Sequence, residues 1–153
     1  MDKRQFRDIA GKFATGVTVV TVKYKGDIHG MTVNGFASVS LEPSLILISI
    51  GKQQKIHDIL LSSGRFGVSI LQEDQRMISD HFGGKFDETL MVPFIENKGM
   101  PLVREALGYF IAKVVNTHEE GDHTLFIGEV EVCEMGDAQK KPLLFFNGKY
   151  NFL

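Results

Sequence analysis

A single cysteine, Cys133, is all that the 153 residues carry, so no intramolecular disulfide can form. It sits in EVEVCEM, an alternating strand pattern whose acidic neighbours disfavour a nucleophilic thiolate. Long apolar runs are missing as well. The run LILISI at 45–50 is far shorter than a membrane span, and the charged start MDKRQFRD has no signal-peptide hydrophobic segment, which makes the cytoplasm the expected location. There is no excess of positive charge: the formal net charge is -2, which offers no bulk attraction for nucleic acid. The histidines at 29, 57, 81, 118 and 123 form neither a Cys/His cluster nor HExxH, which argues against a zinc site. GxSxG, a P-loop after a strand and a helix-opening GxGxxG are all absent, so neither a hydrolase elbow nor a Rossmann site is supported.

What is present is an ordinary globular composition, with 43% hydrophobic and 24% charged residues, and a length suited to a single domain over 1–153. Phe6, Ile9, Ala10 and Phe13 fall at helical spacing, predicting an amphipathic helix over 3–13. The period then changes. GVTVVTVKY predicts a strand, KGD at 25–27 a hairpin turn, and IHGMTVNGFASVS a returning strand. Glu42-Pro43 breaks the chain before SLILISI, an apolar run suited to a strand buried on both faces. Helices are expected over 53–62, with Ile56, Ile59 and Leu60 inward, and over 73–82, with Met77, Ile78, His81 and Phe82 inward. RFGVSIL is the strand between them.

Residues 83–104 show little periodicity and read as a surface excursion, a candidate lid or subunit contact. YFIAKVVNTH, the turn EEGD and HTLFIGEVEVCEM predict a long hairpin, and PLLFFNGKY a last strand. About six or seven strands paired largely as hairpins predict a mainly β, closed antiparallel barrel with helices at its rim, because closure removes exposed edges.

The segment HGMTVNGFASVS at 29–40 is unlike a strand built only for packing. Thr32, Asn34, Ser38 and Ser40 recur at even spacing, so on an uninterrupted strand they line one face. Each such group buried without a partner costs about 1–3 kcal/mol, so partners in the fold or in a ligand are expected; a solvent-facing strand side is the alternative. Further on, SIGKQQKIHDI places Gly51, Lys52 and Lys55 at the start of a helix, where backbone N–H groups and the helix dipole favour an anion. Two merely solvated lysines are the alternative there.

FATGVTVVT, GMTVNGFASVSLEPSLILISI, DHTLFIGEV and PLLFFNGKY, in that order across nearly the whole chain, resemble the signature segments of the flavin reductase domain family. The likeness is strongest to the small reductase components of two-component phenol and 4-hydroxyphenylacetate monooxygenases. The resemblance implies an FMN-binding split barrel. It implies a flavin contact by Met31, Thr32, Val33, Asn34, Ser38, Val39 and Ser40, and a flavin phosphate near Gly51, Lys52, Gln53 and Lys55. Phe82 and Gly83 fall beside the flavin or its adenine end, and His123, Asn147, Gly148, Lys149 and Tyr150 near NADH. Bland roles stand beside these: Phe82 as plain core, His123 as a hairpin cap, Lys149 and Tyr150 as barrel closure.

The implied activity is hydride transfer from NADH to FAD, with FMN possible, by a homodimer that supplies reduced flavin to a larger monooxygenase. FAD is favoured by the likeness to those reductases, and NADH over NADPH because the tail lacks an arginine cluster. A flavin carrier or redox sensor without turnover, and a flavin-mediated ferric reductase, are the competing readings.

Overall fold

A computed structural model describes residues Met1–Leu153. Helix α1 (Lys3–Ala10) starts at Asp2, whose carboxylate accepts the Arg4 N–H at 2.8 Å, and ends where the Gly11 N–H returns to the Arg7 carbonyl. It is therefore shorter than the expected 3–13, and its apolar face is not buried: Phe6 and Phe13 are 61% and 80% exposed.

The strands that follow are β1 (Thr15–Gly16), β2 (Thr18–Tyr24), β3 (Asp27–Val33), β4 (Phe36–Leu41) and β5 (Ser44–Gly51). The expected strand from Ile28 to Ser40 is broken at Asn34–Gly35, and a register irregularity between Ser38 and Ser40 disturbs β4 further. Thr32, Asn34, Ser38 and Ser40 consequently do not share one face. Even spacing in sequence guarantees a common face only while the ladder runs on.

Helix α2 (Lys55–Ser63) leads into β6 (Arg65–Ile70), and a single 3-10 turn at Glu73–Gln75 into α3 (Arg76–Phe82). The α2 face is as expected, with Ile56 and Leu60 buried, whereas on α3 Ile78 is buried and Met77 points outward, 64% exposed. The 83–104 segment is only partly an excursion: β7 (Phe94–Asn97) and β8 (Met100–Val103) form a hairpin whose Met100, Leu102 and Val103 are buried. Strands β9 (Gly108–Glu120) and β10 (His123–Met135) make the long hairpin. The tail is a hairpin too, β11 (Leu144–Phe146) and β12 (Lys149–Asn151), because Asn147 (φ 53) and Gly148 (φ 75) occupy the two left-handed positions of a tight turn.

All pairings are antiparallel, and the main sheet runs β3-β2-β6-β9-β10-β5-β4. Its two edges, β3 and β4, are consecutive in the chain. They are joined through the Asn34–Gly35 break, where the Ser49 N–H of β5 donates to the Gly35 carbonyl at 2.9 Å and carries the β4–β5 ladder one residue past Phe36, and the sheet curls into the split barrel. Val20, Val22, Ile46, Ile48, Ile50, Phe66, Val68 and Phe126 fill the interior, with Ile56 and Leu60 of α2 packed among them.

Burial on both faces falls to β2, and to Phe66–Ser69 of β6, but not to β5. Val20 and Val22 join the interior, while Val19 packs with Leu71, Ile78, Val103 and Leu143 on the outside. On β5, Ile46, Ile48 and Ile50 are buried but Leu45 and Leu47 only partly so. An apolar run does not say which strand receives an outer layer; here α3 and the β8 hairpin cover β2.

Candidate functional site

Three clefts adjoin along β3 and its break. The first, of about 530 Å³, is lined by Thr32, Asn34, Ser49, Gln53, Gln54 and His123 among others, and the second, of about 500 Å³, by Thr32, Asn34, Arg76, Asp80, Lys149 and Tyr150. Thr32 and Asn34 form the ridge between them. A third, of about 340 Å³, lies on the far side of Met31 and takes in His29, Lys55, His81, Phe82 and Phe86. These sizes fall in the range of small-molecule sites, and the first two have few apolar lining residues.

The ridge is held from α3. Thr32 Oγ1 donates to the Ser79 carbonyl at 2.6 Å, and a side chain at Gly83 would meet that same carbonyl, 2.8 Å from its Cβ. Gly30 is equally constrained, because a Cβ there would sit 2.6 Å from the Phe82 ring. Strand β3 and the end of α3 thus approach as closely as they do because two glycines permit it. Phe82 packs edge-on to His81, whose ring is also 4.7 Å from Phe86.

At the mouth of the first cleft, His123 opens β10 opposite Gly51, with Nδ1 2.7 Å from Asp122 Oδ1. The imidazole beside it holds the exposed Asp122 carboxyl below its ordinary value, mainly through that hydrogen bond. His123 is exposed, whereas the one buried histidine, His57, points into the fold, 2.8 Å from Thr124 Oγ1 and edge-on to Phe126.

In the second cleft the Tyr150 hydroxyl lies 2.7 Å from Ser79 Oγ, and the Arg76 guanidinium sits 5.1 Å from the Tyr150 ring centroid. Burial raises the Tyr150 phenol above its usual range, with the Asp80 carboxylate adding to the rise and the Ser79 bond opposing it. Asp80 faces two cations, Arg76 Nε at 3.8 Å and Lys85 Nζ at 3.5 Å.

Of the residues singled out in the sequence, Met31, Thr32, Val33, Asn34, Gly51, Gln53 and His123 come together in the first cleft. Gly83, Gly148, Lys149 and Tyr150 join Thr32 and Asn34 in the second, and Lys55 and Phe82 join Met31 in the third. Ser38, Val39 and Ser40 lie on the β4 edge outside all three, and Asn147 occupies the β11–β12 turn, its N–H bonded to the Gly11 carbonyl. Lys52 leans away to Glu119 Oε2, 3.6 Å off, so the two lysines of GKQQK do not converge on one spot. The α2 N-terminus does lack a side-chain cap.

Sequence reading missed Ser49, Gln54 and Asp122 in the first cleft, and Arg76, Ser79, Asp80 and Lys85 in the second. The i,i+4 spacing of Arg76 and Asp80 was the one available signal for the latter group.

Comparison with known proteins agrees with this architecture over the full chain. The solved flavin reductase PheA2 superimposes with a TM-score of 0.95 at 46% identity, covering 100% of this chain and 99% of its own. The NADH-dependent flavin reductase StyB of Pseudomonas fluorescens is 39% identical over 99% of this chain and 90% of its own length. The Streptomyces globisporus NADH:FAD oxidoreductase SgcE6, solved with NAD and FAD fragments, matches with a TM-score of 0.90 at 36% identity over 98% of this chain and 92% of its own. The family model described as flavin reductase like domain matches residues 10–153, and the chain belongs to that family.

Proposed function

We infer that this chain is an NADH-dependent flavin reductase that supplies reduced flavin to the oxygenase of a two-component monooxygenase. The observation that carries the reading is the end-to-end match to NADH-dependent flavin reductases and to reductase components of monooxygenases, one of them the 4-hydroxyphenylacetate enzyme of Thermus thermophilus. No helix is long and apolar enough to cross a membrane. A cytoplasmic location suits a reaction fed by NADH.

The residues fit a flavin. Hydroxyls and amides of Thr32, Asn34, Ser49, Gln53 and Gln54 line the first cleft with no cation among them, a donor and acceptor set suited to the polar edge of an isoalloxazine. Cations gather instead in the second cleft, where Arg76, Lys85 and Lys149 suit the diphosphate of a dinucleotide. The Thr32–Asn34 ridge, shared by both clefts, would bring a flavin in the first and a nicotinamide nucleotide in the second next to each other.

Bound flavin supplies the redox chemistry, taking up hydride from the nicotinamide. The chain's part is orientation and exclusion of water, so the reaction does not call for an acid and base pair. His123, oriented by Asp122, borders the flavin edge and stabilises charge there. Arg76 and Lys149 hold the nucleotide, and Tyr150 positions the tail hairpin against it. FAD is preferred over FMN, because His81, Phe82 and Phe86 of the third cleft would hold its adenine end.

The same reading includes a homodimer. Phe6, Ile9 and Phe13 of the N-terminal segment, Val39 and Leu41 on the β4 edge, and Phe86 and Met91 in the 83–93 loop leave apolar surface for a second copy to cover.

The test is NADH oxidation by the purified protein, followed by the loss of reduced-nicotinamide absorbance, with and without FAD, FMN or riboflavin. Oxidation that saturates with FAD at the lowest concentration is expected. A chain that binds flavin yet oxidises no NADH with any of the three would overturn the reductase reading in favour of a carrier.

A further inference from the structure

The tail itself has no arginine cluster, but the fold assembles a cationic one around it. Arg76 from α3, Lys85 from the following loop and Lys149 from β12 line the second cleft, and Asp80 is its only acid. The Asp80 carboxylate is about one quarter exposed and faces Arg76 Nε at 3.8 Å and Lys85 Nζ at 3.5 Å. Two net positive charges remain in the cleft, which matches the two negative charges of a dinucleotide diphosphate bridge. A dinucleotide with a further phosphomonoester on its adenosine ribose brings about two more negative charges near neutral pH. That group meets a cleft in which two of the three cations already have a carboxylate.

We propose that Asp80 is the specificity-determining residue that turns the second cleft against a 2′-phosphorylated nicotinamide dinucleotide. The proposal rests on the reading that this cleft takes the nucleotide. Discrimination comes from an anion built into the site, which keeps Arg76 and Lys85 from a third phosphoryl group and repels it. Asp80 faces the cations of the second cleft, so its effect is on which dinucleotide binds. Its backbone carbonyl also receives the Gly83 and Lys85 N–H groups, bonds that a side-chain exchange leaves in place.

The experiment compares the wild type with Asp80→Asn and Asp80→Glu. One arm measures the ratio of kcat/KM for NADPH to that for NADH with saturating FAD. The other measures equilibrium binding of adenosine 2′,5′-bisphosphate and of adenosine 5′-monophosphate by calorimetry. Asp80→Asn is expected to raise the NADPH-to-NADH ratio on the order of tenfold, the scale of one partly screened charge at ion-pair distance, and to raise bisphosphate over monophosphate affinity in parallel. Asp80→Glu, which keeps the charge, is expected to leave both ratios near the wild type.

Unchanged ratios in an Asp80→Asn protein that still oxidises NADH would overturn the assignment, as would an equal shift in Asp80→Glu. A wild type that oxidises no NADH would remove the functional reading instead, and the binding arm still decides on Asp80.

Discussion

Removing the Tyr150 hydroxyl tests how the second cleft is held shut at its tail end. That hydroxyl lies 2.7 Å from Ser79 Oγ, and Ser79 is completely buried, whereas Tyr150 borders the cleft. Tyr150→Phe therefore strands a buried serine hydroxyl, at a cost of about 1–3 kcal/mol. Ser79→Ala leaves the phenol at the cleft wall, where water reaches it, and costs about 0.5–1.5 kcal/mol. The double variant has neither group to satisfy, so its loss should fall short of the sum by at least about 0.5 kcal/mol. Urea unfolding of the four proteins gives the coupling directly. Because Tyr150 also packs edge-on to Phe145 and under Arg76, loosening it should raise KM for NADH before kcat falls. Strict additivity, or a Tyr150→Phe protein as stable as the wild type with unaltered KM, would refute the reasoning.

Gly83→Ala places a Cβ 2.8 Å from the Ser79 carbonyl, which the Thr32 hydroxyl already fixes, and should cost about 1–3 kcal/mol in denaturant; an unmoved midpoint would remove the close approach of α3 to β3 from the account. Gly30→Ala drives a methyl into the Phe82 ring at 2.6 Å, so it should destabilise by a similar amount, about 1–3 kcal/mol, and a second change, Phe82→Leu, should relieve part of that loss. A double variant worse than either single one would count against it. In alkali, Tyr150 and Tyr109 are both held above the ordinary phenol value of 10.0 by burial, so each adds stability that is complete below pH 10.0 and lost as the pH rises through its higher folded value. Unfolding followed from neutral pH upward should fall less steeply in Tyr109→Phe and Tyr150→Phe than in the wild type, and identical slopes would contradict the burial assignment.

The hairpins were the most readable part of the sequence, for a local reason. Turn chemistry at Lys25–Gly26 and Gly121–Asp122 lies between runs of period two, and register follows from the turn. Where the sequence misled, the deciding contact was remote. Nothing in SLILISI reveals that β5 keeps Leu45 and Leu47 half-exposed, because the layer that would cover them lies elsewhere; nor does TVVTVKY announce that α3 and β8 will cover its outer face. The tail read as one strand because PLLFF dominates its pattern, although Asn147-Gly148 was a turn signal in plain view.

The site was legible in the same proportion. Residues contiguous with the β3 segment were found, while Ser49, Arg76, Asp80 and Lys85 come from elements whose meeting only the closed sheet decides. Lys52 and Lys55 shared a motif but diverged at the α2 start, because Lys52 lies in the turn bonded to Asp122, before the helix, while Lys55 is its first residue.

The break between β3 and β4 explains why the clefts gather where they do. A sheet that closes fully satisfies every backbone group through its own ladder and leaves no room for a ligand at the seam. Here the two edges belong to consecutive strands, and only two residues, Asn34 and Gly35, join them. The Ser49 N–H bond to Gly35 ties this connection to β5, and a Gly35 Cβ would already stand 3.1 Å from Ser49 Cβ, so the packing is tight there. On either side the chain diverges, and the first and second clefts are the two openings that result. The hydroxyl and the amide on the ridge then have different tasks. Thr32 is tied to the Ser79 carbonyl and sets the position of α3, while Asn34, exposed, faces both openings. One side chain fixes the ridge and the other is left to the ligands, an arrangement that an unbroken strand carrying both on one face would not provide.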